Sequence, residues 1–206
     1  MKKFFIACIM LVASSVTAWA DSPITSTDWA KAYQDVPIVA KMLALNGQTV
    51  TTELIEYLAD DNNPADVKVA AINAVSFDKD TYTPLMNLLK AKFGTESEIS
   101  VLGKISPSTH IALAYAQARL HYMNPQEAGF LSYTAVCLAP ESLTANVVYA
   151  LVMANYVMSA GDWGAVYQIC DAVRTSPKLQ QDMRPQAITM LMEYIDGYKA
   201  YIKTTN

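Results

Sequence analysis

Apolar residues recur along most of this chain with the spacing of α-helices. One stripe at three- and four-residue steps consists of Tyr82, Leu85, Met86, Leu89 and Phe93. Such steps place side chains on one face of a helix, whereas the alternating runs typical of strands are few. The pattern predicts helices over residues 26–34, 36–46, 51–60, 64–76, 83–93, 107–123, 125–138, 142–160, 162–175 and 182–203. We therefore expect an all-α fold.

Residues that favour helix ends divide these segments. A capping side chain precedes proline at Asn63-Pro64, Thr83-Pro84, Ser106-Pro107 and Asn124-Pro125. Proline suits the first turn of a helix, because the N–H it lacks would have no partner there. Gly47, Gly94 and Gly161 stand where helices are expected to stop. The weakest helical pattern is that of residues 94–105, for which we expect a loop with one helical turn.

A set of marks occurs twice in the second half of the chain. The later copy consists of Tyr149, Tyr156, Ala165, Ala172 and Pro177, and the earlier copy consists of Tyr115, Tyr122, Ala128, Ala135 and Pro140. Bulky tyrosines on a first helix would fill the space between helices, and small alanines on a second helix would permit its close approach. A proline would then end the second helix. Repetition of this kind predicts a series of helical hairpins.

These marks resemble a tetratricopeptide repeat over residues 112–179. Residues 51–76 are more weakly similar to a HEAT repeat, with an amphipathic helix, an acidic turn and a second helix opening with Asp66, Val67 and Lys68. Both resemblances imply a right-handed stack of αα-hairpins in which each pair buries its apolar face on the next. We expect the last helix to cap this stack.

The tetratricopeptide resemblance also implies a concave face lined by the first helix of each hairpin. Its candidate partner-binding residues are Ala116, Leu120, Met123, Ala150, Ala154, Val157 and Met158. This set is apolar and uncharged, which suits an apolar peptide or helix. The alternative is that the protein's own C-terminal helix fills the groove, which would leave no open site.

The start of the chain predicts export. Residues 1–20 have two lysines, an apolar run and an Ala-Trp-Ala ending, which is typical of a secretory signal peptide. Residues 21–206 would then form a single helical-repeat domain in the periplasm or outside a bacterial cell. Two of the 15 basic residues and none of the 19 acidic ones lie in the signal, so the remaining net charge is −6. That charge argues against a nucleic-acid binder, and no second apolar run is long enough to span a membrane.

Two cysteines, Cys137 and Cys170, remain after removal of the signal. An oxidising compartment favours a disulfide between them. The alternative is that both are buried apolar residues of helices, where free cysteine is common.

Signatures of catalysis and of cofactors are absent from the sequence. It has no glycine-rich phosphate loop and no nucleophile or zinc-protease motif. His110 and His121 would be roughly 16 Å apart along one helix, too far to share a metal. We therefore expect no metal, no cofactor and no enzymatic activity, and predict a protein- or peptide-binding or scaffolding module. The alternatives are an exported hydrolase of polysaccharide or peptidoglycan and a structural subunit of a cell-envelope assembly.

Overall fold

The computed structural model describes residues 22–202, and the expected signal peptide lies outside this range. The described residues contain ten α-helices: α1 Pro37–Ala44, α2 Thr52–Ala59, α3 Ala65–Asn73, α4 Tyr82–Phe93, α5 Glu98–Leu102, α6 Pro107–Leu120, α7 Gln126–Leu138, α8 Leu143–Ser159, α9 Trp163–Arg174 and α10 Pro185–Asp196. Two 3₁₀ turns, Trp29–Tyr33 and Gly197–Tyr201, flank this series. Within this range the only β pairing is a single bridge between Ser142 and Gln180. The prediction of an all-α fold is confirmed.

Side-chain caps mark the starts of five of the ten helices in the described range. Ser106 and Ser142 each accept a hydrogen bond from the backbone N–H three residues on, at the beginnings of α6 and α8. Pro107 is the first residue of α6, as predicted. Pro64 and Pro125 instead occupy the position before α3 and α7, so those two helices begin one residue later than expected. Residues 94–105 contain the short helix α5.

Helices that follow one another in the chain also pack side by side. This holds for the run from α6 to α10, while α3 lies against α6 and joins the two halves of the molecule. The chain is thus a repeat-like stack of neighbouring helices. The repeated marks do not all occupy the interior, however. Tyr115 is buried, but Tyr156 is 51% exposed and Ala172 is exposed, so the predicted packing roles of these last two residues are wrong.

Helix α10 contacts segments from both ends of the described chain. α10 packs against α9 and also against the Trp29–Tyr33 turn near the start of the described chain. Arg184 directly precedes α10, and its guanidinium lies 4.6 Å from the centre of the Tyr33 ring. The backbone N–H of Arg184 donates to the Tyr33 hydroxyl at 2.9 Å. Arg184 also forms an ion pair with Asp35. The last helix therefore covers one end of the stack and holds the first segment of the chain.

The terminal 3₁₀ turn approaches α9 at a glycine. A Cβ added to Gly164 would lie 2.7 Å from the carbonyl oxygen of Tyr201, which no real contact tolerates. We expect Gly164→Ala to displace this turn and to lower the free energy of unfolding by about 1–3 kcal/mol in urea titrations.

Gly129→Ala is the matched control for this substitution. Gly129 lies inside α7 with nothing within 4 Å of an added Cβ, and replacing a helical glycine by alanine stabilises by roughly 0.5–1 kcal/mol. A stability of Gly164→Ala equal to or above that of the wild type would show that the terminal turn is not packed on α9.

Candidate protein-binding surface

The predicted groove residues lie mostly in the core. Ala116, Ala150, Ala154 and Met158 are buried, Leu120 and Val157 are half-buried, and Met123 is exposed between α6 and α7. A set with four of seven members inside the protein does not line an open concave face. Of the two alternatives, an open groove and one that the protein fills itself, the burial of these positions favours the second.

The space between α6 and α8 is taken by the start of the described chain. We call residues 22–33 the N-terminal segment. Its Ser22 hydroxyl donates to the Asn155 side chain on α8 at 2.7 Å, and Arg119 on α6 donates to the Ile24 carbonyl at 3.2 Å. The ring of Trp29 lies 6.0 Å from that of Tyr115. The protein therefore fills this region itself, but with its N-terminal segment and not with the expected C-terminal helix.

The two cysteines are not bridged. Both are free thiols, with Cys137 exposed on α7 and Cys170 buried in α9. Burial raises the pKa of the Cys170 thiol to about 12, which keeps it protonated and unreactive. The possible disulfide between them is thus absent, and the alternative of a buried apolar cysteine holds for Cys170 alone.

The outward face of α8 carries Tyr149 and Tyr156, which the repeat pattern predicts to be packed between helices. Tyr149, Met153 and Tyr156 recur at steps of four and three, so they share one side of the helix. Tyr149 and Met153 are half-buried and Tyr156 is 51% exposed. Ala150 and Ala154, the expected groove residues, face the core instead. The prediction had the two sides of α8 reversed.

The neighbouring helix α7 extends this face. Phe130 and Tyr133 are 66% and 57% exposed, and the Tyr133 ring lies 6.1 Å from that of Tyr149. The hydrogen bond between Tyr133 and the Cys137 thiol raises the pKa of the tyrosine hydroxyl. We name the five residues Phe130, Tyr133, Tyr149, Met153 and Tyr156 the aromatic surface.

Charge is scarce around the aromatic surface. α8 contains no Asp, Glu, Lys or Arg over its 17 residues, and Glu127 is the only charged residue of α7. Aromatic residues and methionine are enriched at protein interfaces, and charged residues are depleted at interface centres. The arrangement can therefore bury apolar area against a partner without removing charges from water.

Aromatic residues of α9, α10 and the terminal 3₁₀ turn form a separate group. Trp163 stacks on Tyr198 with ring centres 5.8 Å apart, and the Tyr194 and Tyr198 hydroxyls are 2.7 Å apart. Tyr198 is buried, whereas Tyr201 is 58% exposed. These rings mainly attach α10 and the terminal turn to α9.

The positions of the potential metal ligands were compared across the described residues. No group of three or more His, Cys, Asp or Glu side chains there is arranged to hold a metal ion. His110 is buried and bonds through Nε2 to the Leu102 carbonyl at 3.0 Å, while His121 is exposed. His110 is thus an interior residue that attaches α5 to α6.

Comparison with known proteins gives no family for this chain. No family model, no curated protein and no solved structure matches it.

Among residues 22–202, no helix has the length and apolar character needed to cross a membrane. The aromatic surface could have been found in the sequence from the 149, 153 and 156 spacing, had the packing direction of α8 been known.

Proposed function

We propose that this protein is an exported helical-repeat module that binds another protein or a peptide through the aromatic surface. The observation that supports this proposal is that the aromatic surface, on two adjacent helices, has three exposed rings beside half-buried Tyr149 and Met153 and contains no charged residue. An exposed apolar patch on a soluble protein marks an interaction site. The activity is binding, and it requires no cofactor.

The chemistry of the surface indicates the kind of partner. Tyrosine rings combine apolar area with a hydroxyl that can hydrogen-bond, which suits a peptide presenting both apolar side chains and backbone groups. The partner would place apolar anchors along the 149, 153 and 156 row, as an amphipathic helix does. This surface differs from the concave face that the tetratricopeptide resemblance implies.

A random peptide library displayed on phage tests the proposal. We expect peptides recovered on the wild-type protein to bind Phe130→Ser/Tyr156→Ser at least about tenfold more weakly, because central aromatic residues dominate interface energies. The control is Ile99→Ser, which removes an apolar side chain that is 83% exposed on α5, outside the aromatic surface. Affinities are measured by calorimetry, and circular dichroism checks that each variant is folded.

Two outcomes would contradict the proposal. Recovered peptides that bind the double variant as tightly as the wild type would place the binding site elsewhere. Failure to recover any sequence-enriched peptide would show that the aromatic surface does not bind peptides.

A further inference from the structure

A cleft of about 450 Å³ lies on another side of the molecule. Its walls come from the N-terminal segment, the turn after α1, the segment after α3 and the end of α6. The polar and charged residues that line it are Thr25, Asp28, Lys31, Asn46, Asn73, Ser76 and Arg119. This volume is in the range of small-molecule sites in proteins.

Arg119 is the most unusual residue of this cleft. It is only 6% exposed, and its guanidinium donates to two neutral acceptors, the carbonyls of Ile24 at 3.2 Å and Val75 at 2.7 Å. It also lies 5.9 Å from the centre of the Tyr115 ring. Among the described residues, no carboxylate lies within 4.0 Å of it.

The other two arginines of the chain, unlike Arg119, pair with carboxylates. Arg174 pairs with Asp171 and Asp196, and Arg184 pairs with Asp35, although both arginines are more exposed than Arg119. A guanidinium cannot lose its proton in a protein, so Arg119 remains charged in the interior. Burying a charge without a counterion is costly. Two of its five N–H groups are used by the carbonyls, which leaves donors for a ligand.

We propose that this cleft binds a small oxyanion, a carboxylate or a phosphate group, with Arg119 as its main partner. Guanidinium groups bind such anions through paired hydrogen bonds. Lys31 and Asp28 also line the cleft and form an exposed ion pair at 3.1 Å, so the positive charge without a carboxylate partner among the described residues is that of Arg119. Thr25, Asn46 and Ser76 add hydroxyl and amide groups. The site is separate from the aromatic surface and does not depend on the proposed function.

The test measures binding of inorganic phosphate and of malonate to residues 21–206 by calorimetry and thermal shift. Sodium chloride at matched ionic strength is the reference for general salt effects. We expect at least one probe to bind saturably, and Lys31→Glu to weaken that binding about tenfold or more through charge repulsion. Lys178→Glu makes the same charge change at an exposed position outside the lining of the cleft and should leave the affinity unchanged. The two probes distinguish a phosphate site from a carboxylate site.

Substitution of Arg119 itself is informative where the variant folds. Arg119→Gln keeps donors for the two carbonyls but removes the charge, so saturable binding should be lost. Three results would overturn the proposal: neither probe exceeds the chloride reference, Lys31→Glu binds as tightly as the wild type, or folded Arg119→Gln retains the affinity.

Discussion

Replacing Trp29 by alanine is expected to lower the free energy of unfolding by about 3–5 kcal/mol, the range found for truncation of buried aromatic residues. Trp29 is 1% exposed, and its ring lies 6.2 Å from that of Tyr33 and 6.0 Å from that of Tyr115. The substitution opens a cavity where the N-terminal segment meets α6. Chemical unfolding followed by circular dichroism at 222 nm measures the loss.

Trp163→Ala provides the matched control for Trp29→Ala. Trp163 is 38% exposed and stacks on Tyr198 at 5.8 Å. Loss of a partly exposed aromatic pair should cost only about 1–2 kcal/mol. Equal losses for the two variants would show that the N-terminal segment is not part of the cooperative core, and would reopen the space between α6 and α8 to a partner.

A second large effect is expected from pH, through Lys68. This lysine of α3 is fully buried, and its amine donates to the Thr109 hydroxyl at 2.8 Å and the Ser108 hydroxyl at 3.1 Å. Burial lowers its pKa from 10.5 to about 8, and the charge of nearby Asp61 offsets only part of that shift. The charged amine is therefore less stable in the folded chain than in the unfolded one.

The direction of the pH effect follows from proton binding. Between pH 8 and 10.5 the unfolded chain holds more protons at Lys68 than the folded chain, so the contribution of Lys68 to stability rises with pH. Relative to Lys68→Met, which has no titrating group there, the wild type should gain about 2–3 kcal/mol between neutral pH and pH 10. Urea titrations at a series of pH values measure the difference between the two proteins.

Ser108→Ala is the control for the lysine experiment. It removes one hydroxyl acceptor and leaves the amine buried with Thr109, so this variant should keep the wild-type rise. A wild-type protein whose pH dependence equals that of Lys68→Met would mean that water reaches the amine in solution. Asp61 does not interfere in this range. Burial alone would raise its pKa, but hydrogen bonds from Ser106 and Thr109 and the charge of Lys92 lower it to about 2.

The residues at the start of α6 have a second structural role besides the predicted helix cap. Ser106-Pro107 predicts a helix start, and Ser106 does cap α6. The hydroxyls that follow it, on Ser108 and Thr109, also accept hydrogen bonds from the buried lysine of α3. The resemblance of residues 51–76 to a HEAT hairpin does not indicate that Lys68 is buried, because lysine is normally exposed.

Helix boundaries and the all-α fold were readable from the sequence because they depend on neighbouring residues. A serine cap, a proline in the first turn or Gly94 at the end of α4 acts within a few positions along the chain. Helices α6 to α9 therefore begin and end within three residues of their predicted bounds. The helix predicted over 182–203 is shorter, because α10 ends at Asp196 and a 3₁₀ turn follows it.

The direction in which each helix faces was decided only by the tertiary structure. α8 is apolar nearly all round, so its periodicity contains no information on which side is buried. The N-terminal segment packs beside α6 and α8. The side of α8 that carries Ala150 and Ala154 is therefore buried, and the side that carries Tyr156 is exposed. That contact joins Ser22 to Asn155, 133 positions apart in the chain. Local composition determines where helices begin and end, whereas competition among distant segments for the same apolar surface determines which face is left for a partner.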